Sequence, residues 1–272
     1  MSLTKSISQF IDNTLIDLGR QFRWSYLPPL MIYVAAGISG LTGIVGVFFI
    51  KDYLNLSAAF LAGLGFWAGI PWALKMPLGH LVDLIWQRKN YLVFVGAGLI
   101  ALSVIIMYGL IIHTETMASI LKVETWFIVS ALLAPVGYVT QDVVADAMTV
   151  EAVPSTDDQG NKYSTQQIKI MHTTMQTLGR FAIIGGFVLV ALVNVVMFTG
   201  VSALSEPEKI EIYGRIYLYA LFIPIVSVSG VFLAMYLKRQ RLEKLKKSGV
   251  SDEELKKLMT EFVVSTDRKS VV

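Results

Sequence analysis

Six apolar runs, each long enough to cross a lipid bilayer, leave this chain almost no choice of fold. They cover approximately Leu27–Ile50, Ser57–Leu81, Asn90–Ile112, Trp126–Thr149, Ile168–Thr199 and Tyr213–Leu237. A hydrocarbon core of roughly 30 Å needs about 20 helical residues. Inside it every backbone N–H and C=O must find its partner within the segment, which selects the α-helix. Composition agrees, since 16% of the 272 residues are charged, against about 25% in soluble domains. The expected fold class is all-α: a polytopic membrane protein of six transmembrane helices.

The runs divide the chain into three. Residues 1–26 place Ile7, Phe10, Ile11, Leu15, Leu18 and Phe22 three and four apart, with Asp12, Asp17, Arg20 and Arg23 largely on other faces. That spacing predicts an amphipathic helix lying in the membrane interface, held at headgroup level by Trp24 and Tyr26. Residues 27–237 carry the bundle, and 238–272 form a charged cytoplasmic tail. The fifth run is too long for one crossing, so its first turns, with Lys169 and His172, are expected to project into the cytoplasm. Seventeen lysines and arginines fall on one set of connections and four on the other. By the positive-inside rule both termini are expected in the cytoplasm of a multi-pass cell (inner) membrane protein.

Several chemistries are excluded. The chain has no cysteine, and His80, His113 and His172 are too scattered to ligate a metal together. No metal, cofactor or nucleic-acid partner is expected. No nucleophile–base pair, phosphate loop or histidine cluster suggests an enzyme. Within the first span Gly37, Gly40, Gly43 and Gly46 form a stripe of small residues, favouring close helix packing over a cavity lining. Pro71, Pro77, Pro135 and Pro224 lie inside spans and are expected to kink them.

Charges inside the bilayer cost energy and demand an explanation. Counted along their spans, Lys75 and Asp142 lie at similar depth in the cytoplasmic third, so an ion pair between helices two and four is expected. Asp142 and Asp146 are four apart and share a helix face. Two carboxylates this close oppose joint ionisation and make a proton site. A competing arrangement pairs Asp146 and Glu151 with Arg88 and Lys89 at the surface, with Asp146 the favoured partner. Arg180, deeper than Lys169 in the fifth span, suits an anionic ligand or a neighbouring carboxylate. Gln141 and Gln176 add hydrogen-bonding capacity.

Between the second and third spans, Gly79, Leu81 and Asp83 are followed by Arg88-Lys89. This G-x-L-x-D and basic pair resembles the loop between helices two and three of the major facilitator superfamily. Leu84 and Trp86 stand where that pattern has a basic residue and a second glycine. The resemblance implies a gating latch built from Gly79, Asp83, Arg88 and Lys89, with Glu151 as an acidic partner. The run Gln141–Glu151 resembles the fourth-helix motif of the folate–biopterin transporter family. Gly69–Gly79 resembles its second helix, and Phe48–Leu54 with Leu56-Ser57 its first extracellular turn; Met76 and His80 depart from it. The family resemblance implies a twelve-helix secondary carrier for folate- or pterin-like anions, coupled to protons, with Lys75, Asp142 and Asp146 as transport residues. A related pattern occurs in muropeptide permeases and acetyl-CoA carriers, and a non-transporting membrane scaffold is the alternative from another class. Six helices make one half of such a carrier. The expected partners are the bilayer, a small organic anion, protons, and a missing C-terminal six-helix half or a second copy. Residues 267–272 match the translation of a common sequencing adapter and are expected to be non-native.

Overall fold

The computed structural model describes residues 17–49, 57–157, 159 and 161–247. Its helices are α1 (Asp17–Arg20), α2 (Leu27–Gly37), α3 (Gly43–Phe49), α4 (Ala58–Ala73), α5 (Lys75–Leu84) and α6 (Asn90–Ile112). They continue with α7 (Thr114–Ile120), α8 (Val123–Ala152), α9 (Thr165–Phe198), α10 (Glu206–Ala220) and α11 (Phe222–Lys247). Six helical stretches among the described residues are long and apolar enough to span a membrane: Trp24–Gly46, Ala58–Leu84, Asn90–Ile112, Val123–Ala152, Thr165–Ala203 and Glu206–Lys247. The chain is an all-α polytopic membrane protein.

Local chemistry explains where the helices start and break. Ser57 accepts a hydrogen bond from the Phe60 amide at the head of α4. Ser164 and Gln167 cap α9 reciprocally, each side chain accepting from the other's backbone amide. In the second span Pro77 has no N–H to give the carbonyl four residues back, and its ring crowds that carbonyl. The helix accordingly breaks at Leu74 and restarts at Lys75. Pro135 lies inside α8, which runs unbroken for 30 residues, about 45 Å at 1.5 Å per residue.

Helices pack where side chains vanish. A Cβ built on Gly96 in α6 would lie 2.7 Å from the Gly137 carbonyl oxygen in α8, and one on Gly137 would lie 2.7 Å from the Gly96 oxygen. Below this contact Ser103 and Ser130 each donate to the other's carbonyl, at 2.8 and 3.0 Å, fully inside the bundle. Gly37 of α2 meets Gly186 of α9 in the same backbone-to-backbone fashion. The rest of the expected glycine stripe is looser: Gly40 and Gly46 reach only ordinary van der Waals distances, and among the described residues nothing lies within 4 Å of a Cβ built on Gly43.

Two expectations need correcting. The interfacial segment is not one helix: α1 ends at Arg20 and a 3-10 turn at Trp24–Tyr26 leads into α2. Its first sixteen residues lie outside the described ones. Trp24 is 72% exposed, but Tyr26 is fully buried and belongs to the core rather than the headgroup belt. Ser25 pulls it in by donating to the Ala152 carbonyl at the end of α8, at 2.7 Å. At the other end, α11 continues to Lys247, so the charged tail begins inside a helix. Residues 50–56 of the expected first extracellular turn, and residues 248–272, lie outside the described residues.

The Gly96–Gly137 contact admits no side chain because the opposing atoms are backbone. Gly137→Val is expected to destabilise the bundle by about 1–3 kcal/mol, whereas Gly43→Val is expected to leave it unchanged. Thermal unfolding of the two variants in detergent micelles measures the difference.

Candidate functional site

The break at Leu74 delivers Lys75 to the face of α8. Its Nζ lies 2.5 Å from Asp142 Oδ2 and 2.9 Å from Asp146 Oδ2. The two carboxylates share one ammonium because four residues of helix set them one turn apart on one face. Their surroundings differ: the Asp142 side chain is 9% exposed and that of Asp146 49%. Lys75 itself is 39% exposed, so the cluster is closed towards the bundle and open on the other side.

A fourth member was not anticipated. Tyr33 in α2 donates its hydroxyl to Asp146 Oδ1 at 2.5 Å. Its ring packs on Gly179 in α9, where a Cβ would come within 2.9 Å of the ring. A signal was present in the sequence, since a buried tyrosine hydroxyl in a membrane span needs a partner, but nothing in the spacing named Asp146. With Tyr33 the cluster joins spans one, two and four.

Arg180 is exposed, one residue past Gly179. Its charge acts on Asp142 and on Tyr33, yet it forms no ion pair among the described residues. Gln176, one turn earlier, is also exposed and donates to nothing among them. Gln141 is drawn elsewhere. Its side-chain amide is 2% exposed and donates to the Val93 carbonyl at 3.1 Å and to Ser227 Oγ at 2.9 Å, stapling α8 to α6 and α11.

Of the residues expected to form a surface latch, Lys89 and Glu151 are the two that pair among the described residues. Lys89 Nζ pairs with Glu151 Oε1 at 2.7 Å, donates to the Trp86 carbonyl at 3.3 Å, and sits 4.1 Å from the centre of the Trp86 ring. Trp86, standing in place of the motif glycine, thus supplies the cation's aromatic bed. Asp83 and Arg88 are exposed and make no ion pair among the described residues. A Cβ on Gly79 would meet nothing within 4 Å among the described residues, so the glycine is not needed there for close packing. Asp146, the favoured surface partner, points instead to Lys75; Glu151 takes the lysine.

The described residues thus form an all-helical membrane bundle with an ionic cluster shared by three spans. Over 138 residues the chain is 30% identical to a folate-biopterin transporter of Synechocystis sp., a match covering 49% of this chain and 26% of that protein. The matched stretch therefore spans well under half the length of that curated relative. No family model matches the chain, and no solved structure does.

Two measurements test the geometry. Removing Lys75 alone, as in Lys75→Met, strands the Asp142 carboxylate. The expected cost is about 1–3 kcal/mol, less than the roughly 3–5 of a fully buried pair because Lys75 is partly solvated. The double variant Lys75→Met/Asp142→Asn is expected to recover most of it in thermal unfolding; equal loss in both would deny the pair. Lys89 offers a pH test. Burial holds its amine below the ordinary value of 10.5, opposed by Glu151 and reinforced by the charge of Lys238. The unfolded chain then binds this proton more tightly, so stability rises as pH climbs towards 10.5. Lys89→Gln is expected to flatten that rise, measured as thermal midpoint against pH.

Proposed function

We propose that this chain is one six-helix half of a proton-coupled secondary transporter for folate- or pterin-like organic anions. The observation that carries the reading is the Lys75–Asp142–Asp146–Tyr33 cluster. Ionisable groups inside a membrane bundle are costly, and carriers keep them on ion and substrate pathways. The likeness to the Synechocystis sp. folate-biopterin transporter supports both the class and the kind of anion.

The mechanism follows from charge. With both carboxylates ionised, the two aspartates and Lys75 carry a net charge of −1, and Lys75 is fully occupied. A proton taken up by the Asp142–Asp146 pair neutralises this charge and loosens Lys75. The ammonium, 39% exposed on the open side, is then free for the carboxylate of an incoming anion. Arg180 adds a second cation on that side, and Gln176 a hydrogen-bonding group. Proton and anion thus favour each other's binding, which is the thermodynamic requirement for coupled transport. One bundle supplies one wall of such a site. The second wall comes from a further six-helix bundle, the missing C-terminal half or a second copy, set against the open face. The excess of lysine and arginine on one set of connections supports cytoplasmic termini in the cell's inner membrane. In that orientation Lys89 and Glu151 form a cytoplasmic latch between the second-to-third connection and α8.

Labelled folate or biopterin uptake into vesicles carrying the assembled carrier, with and without an acid-outside pH gradient, tests the reading. Accumulation is expected only with the gradient. Asp142→Asn is expected to abolish accumulation while sparing exchange of substrate across a membrane at equal pH. Recovery of accumulation in Lys75→Met/Asp142→Asn would show that the pair is merely structural and end the proton role.

A further inference from the structure

A cavity of about 420 Å³ opens at the end of the bundle where the first and fifth spans begin. Arg23, Tyr26, Tyr163 and Gln167 line it. A neighbouring hollow of about 520 Å³ shares Gln21, Ile170 and Thr174 with it and adds Leu18 and Lys169. The two therefore run along one groove, and Gln166, Thr173 and Thr177 complete the lining of the second hollow.

Position limits what can reach this groove. The adjoining spans start at Trp24 and Thr165, and an exposed tryptophan at a span end marks the headgroup layer. Charge limits what can bind. Arg23 is half-buried, donates to the Tyr163 hydroxyl at 3.2 Å, and lies over the same ring at 5.3 Å from its centre. No carboxylate pairs with it among the described residues. A half-buried guanidinium without a counter-ion is poorly placed, and its planar fork matches two oxygens of a phosphate.

The second observation is Tyr26. It is fully buried, and its hydroxyl has no hydrogen-bond partner among the described residues, although buried polar groups nearly always find one. That hydroxyl is near enough to Arg23 to feel its charge. The first turn of α9, the positive end of a 34-residue helix dipole, adds Gln167 to the wall.

We propose that this groove is a binding site for the phosphate headgroup of an anionic phospholipid of the adjacent leaflet. Arg23 takes the phosphate, the Tyr26 hydroxyl is the donor left open for it, and Leu18 and Ile170 cover the upper acyl chain. Inorganic phosphate offers Arg23 the same chemistry but has no acyl chain to lie against Leu18 and Ile170. The site does not depend on the transport reading.

Native mass spectrometry of the detergent-solubilised chain, incubated with phosphatidylglycerol, with dioleoylglycerol or with inorganic phosphate, tests this. One phosphatidylglycerol is expected to be retained, and no dioleoylglycerol. Arg23→Gln is expected to lower retention about tenfold, the loss of a charge-assisted fork. Arg23→Lys, which keeps the charge, is expected to fall between, and so separates a lost contact from a misfolded protein. Arg88→Gln removes an exposed cation outside the groove and is expected to change nothing. Equal losses for Arg23→Gln and Arg88→Gln would mean diffuse surface charge and overturn the site. Full displacement of the lipid by millimolar phosphate would overturn the lipid assignment. Tyr26→Phe supplies an independent check: lower retention supports the proposal. Unchanged retention with a higher thermal midpoint would mean an unpartnered hydroxyl had simply been removed, and would overturn it.

Discussion

Lipid offers an open backbone group no hydrogen-bond partner, and that absence governs every irregularity in this bundle. Helices can stop or bend only where some other group takes over. At the end of α8 the Ser25 hydroxyl takes the Ala152 carbonyl. At the break in the second span the Leu74 amide still reaches the Ile70 and Pro71 carbonyls. At the start of α9 a serine and a glutamine close the first turn. Each irregularity then has a use, the clearest being the break that turns Lys75 towards α8.

Association of the helices needs a different cause, because lipid tails already solvate apolar side chains. Close approach supplies it, through the dispersion energy of touching backbones and through hydrogen bonds between helices. The α6–α8 pair shows both, with glycine against glycine and two serines exchanging bonds. Gln141 then holds this pair to α11. The second span is built otherwise. The apolar window of Ala58–Leu84 contains no buried residue, and the Lys75 bonds to Asp142 and Asp146 are its ionic tie to α8. The same ion pairs therefore serve packing and, in the proposed carrier, coupling.

That dual use explains the asymmetry of the cluster. A wholly buried ion pair is poorly compensated and hard to open. Here one carboxylate is enclosed and the other half-solvated, with the lysine between them at the open edge. Tyr33 completes the enclosure by holding Asp146 from the first span, and Gly179 leaves room for its ring. The Lys89 pair and the Lys75 cluster use separate acidic residues of one helix, Glu151 and Asp142 with Asp146, so α8 carries both.

Much of this was legible in the residues alone. Apolar run length selects helices and their number because bilayer thickness and helix rise are constants. Counting along two spans placed Lys75 and Asp142 at one depth, since rise per residue converts sequence separation directly into distance. Rotation about the helix axis and choice of neighbour are not written in one dimension. Only the tertiary structure decided that Asp146 turns to Lys75 and Tyr33 while Glu151 takes Lys89, because a shift of one helix by part of a turn exchanges these partners. The same holds for glycine: four in a stripe on the first span look alike in sequence, yet only Gly37 meets another backbone. Tyr26 shows the limit most plainly. Its sequence position suits the membrane surface, but the hydrogen bond of its neighbour Ser25 to α8 draws it into the core.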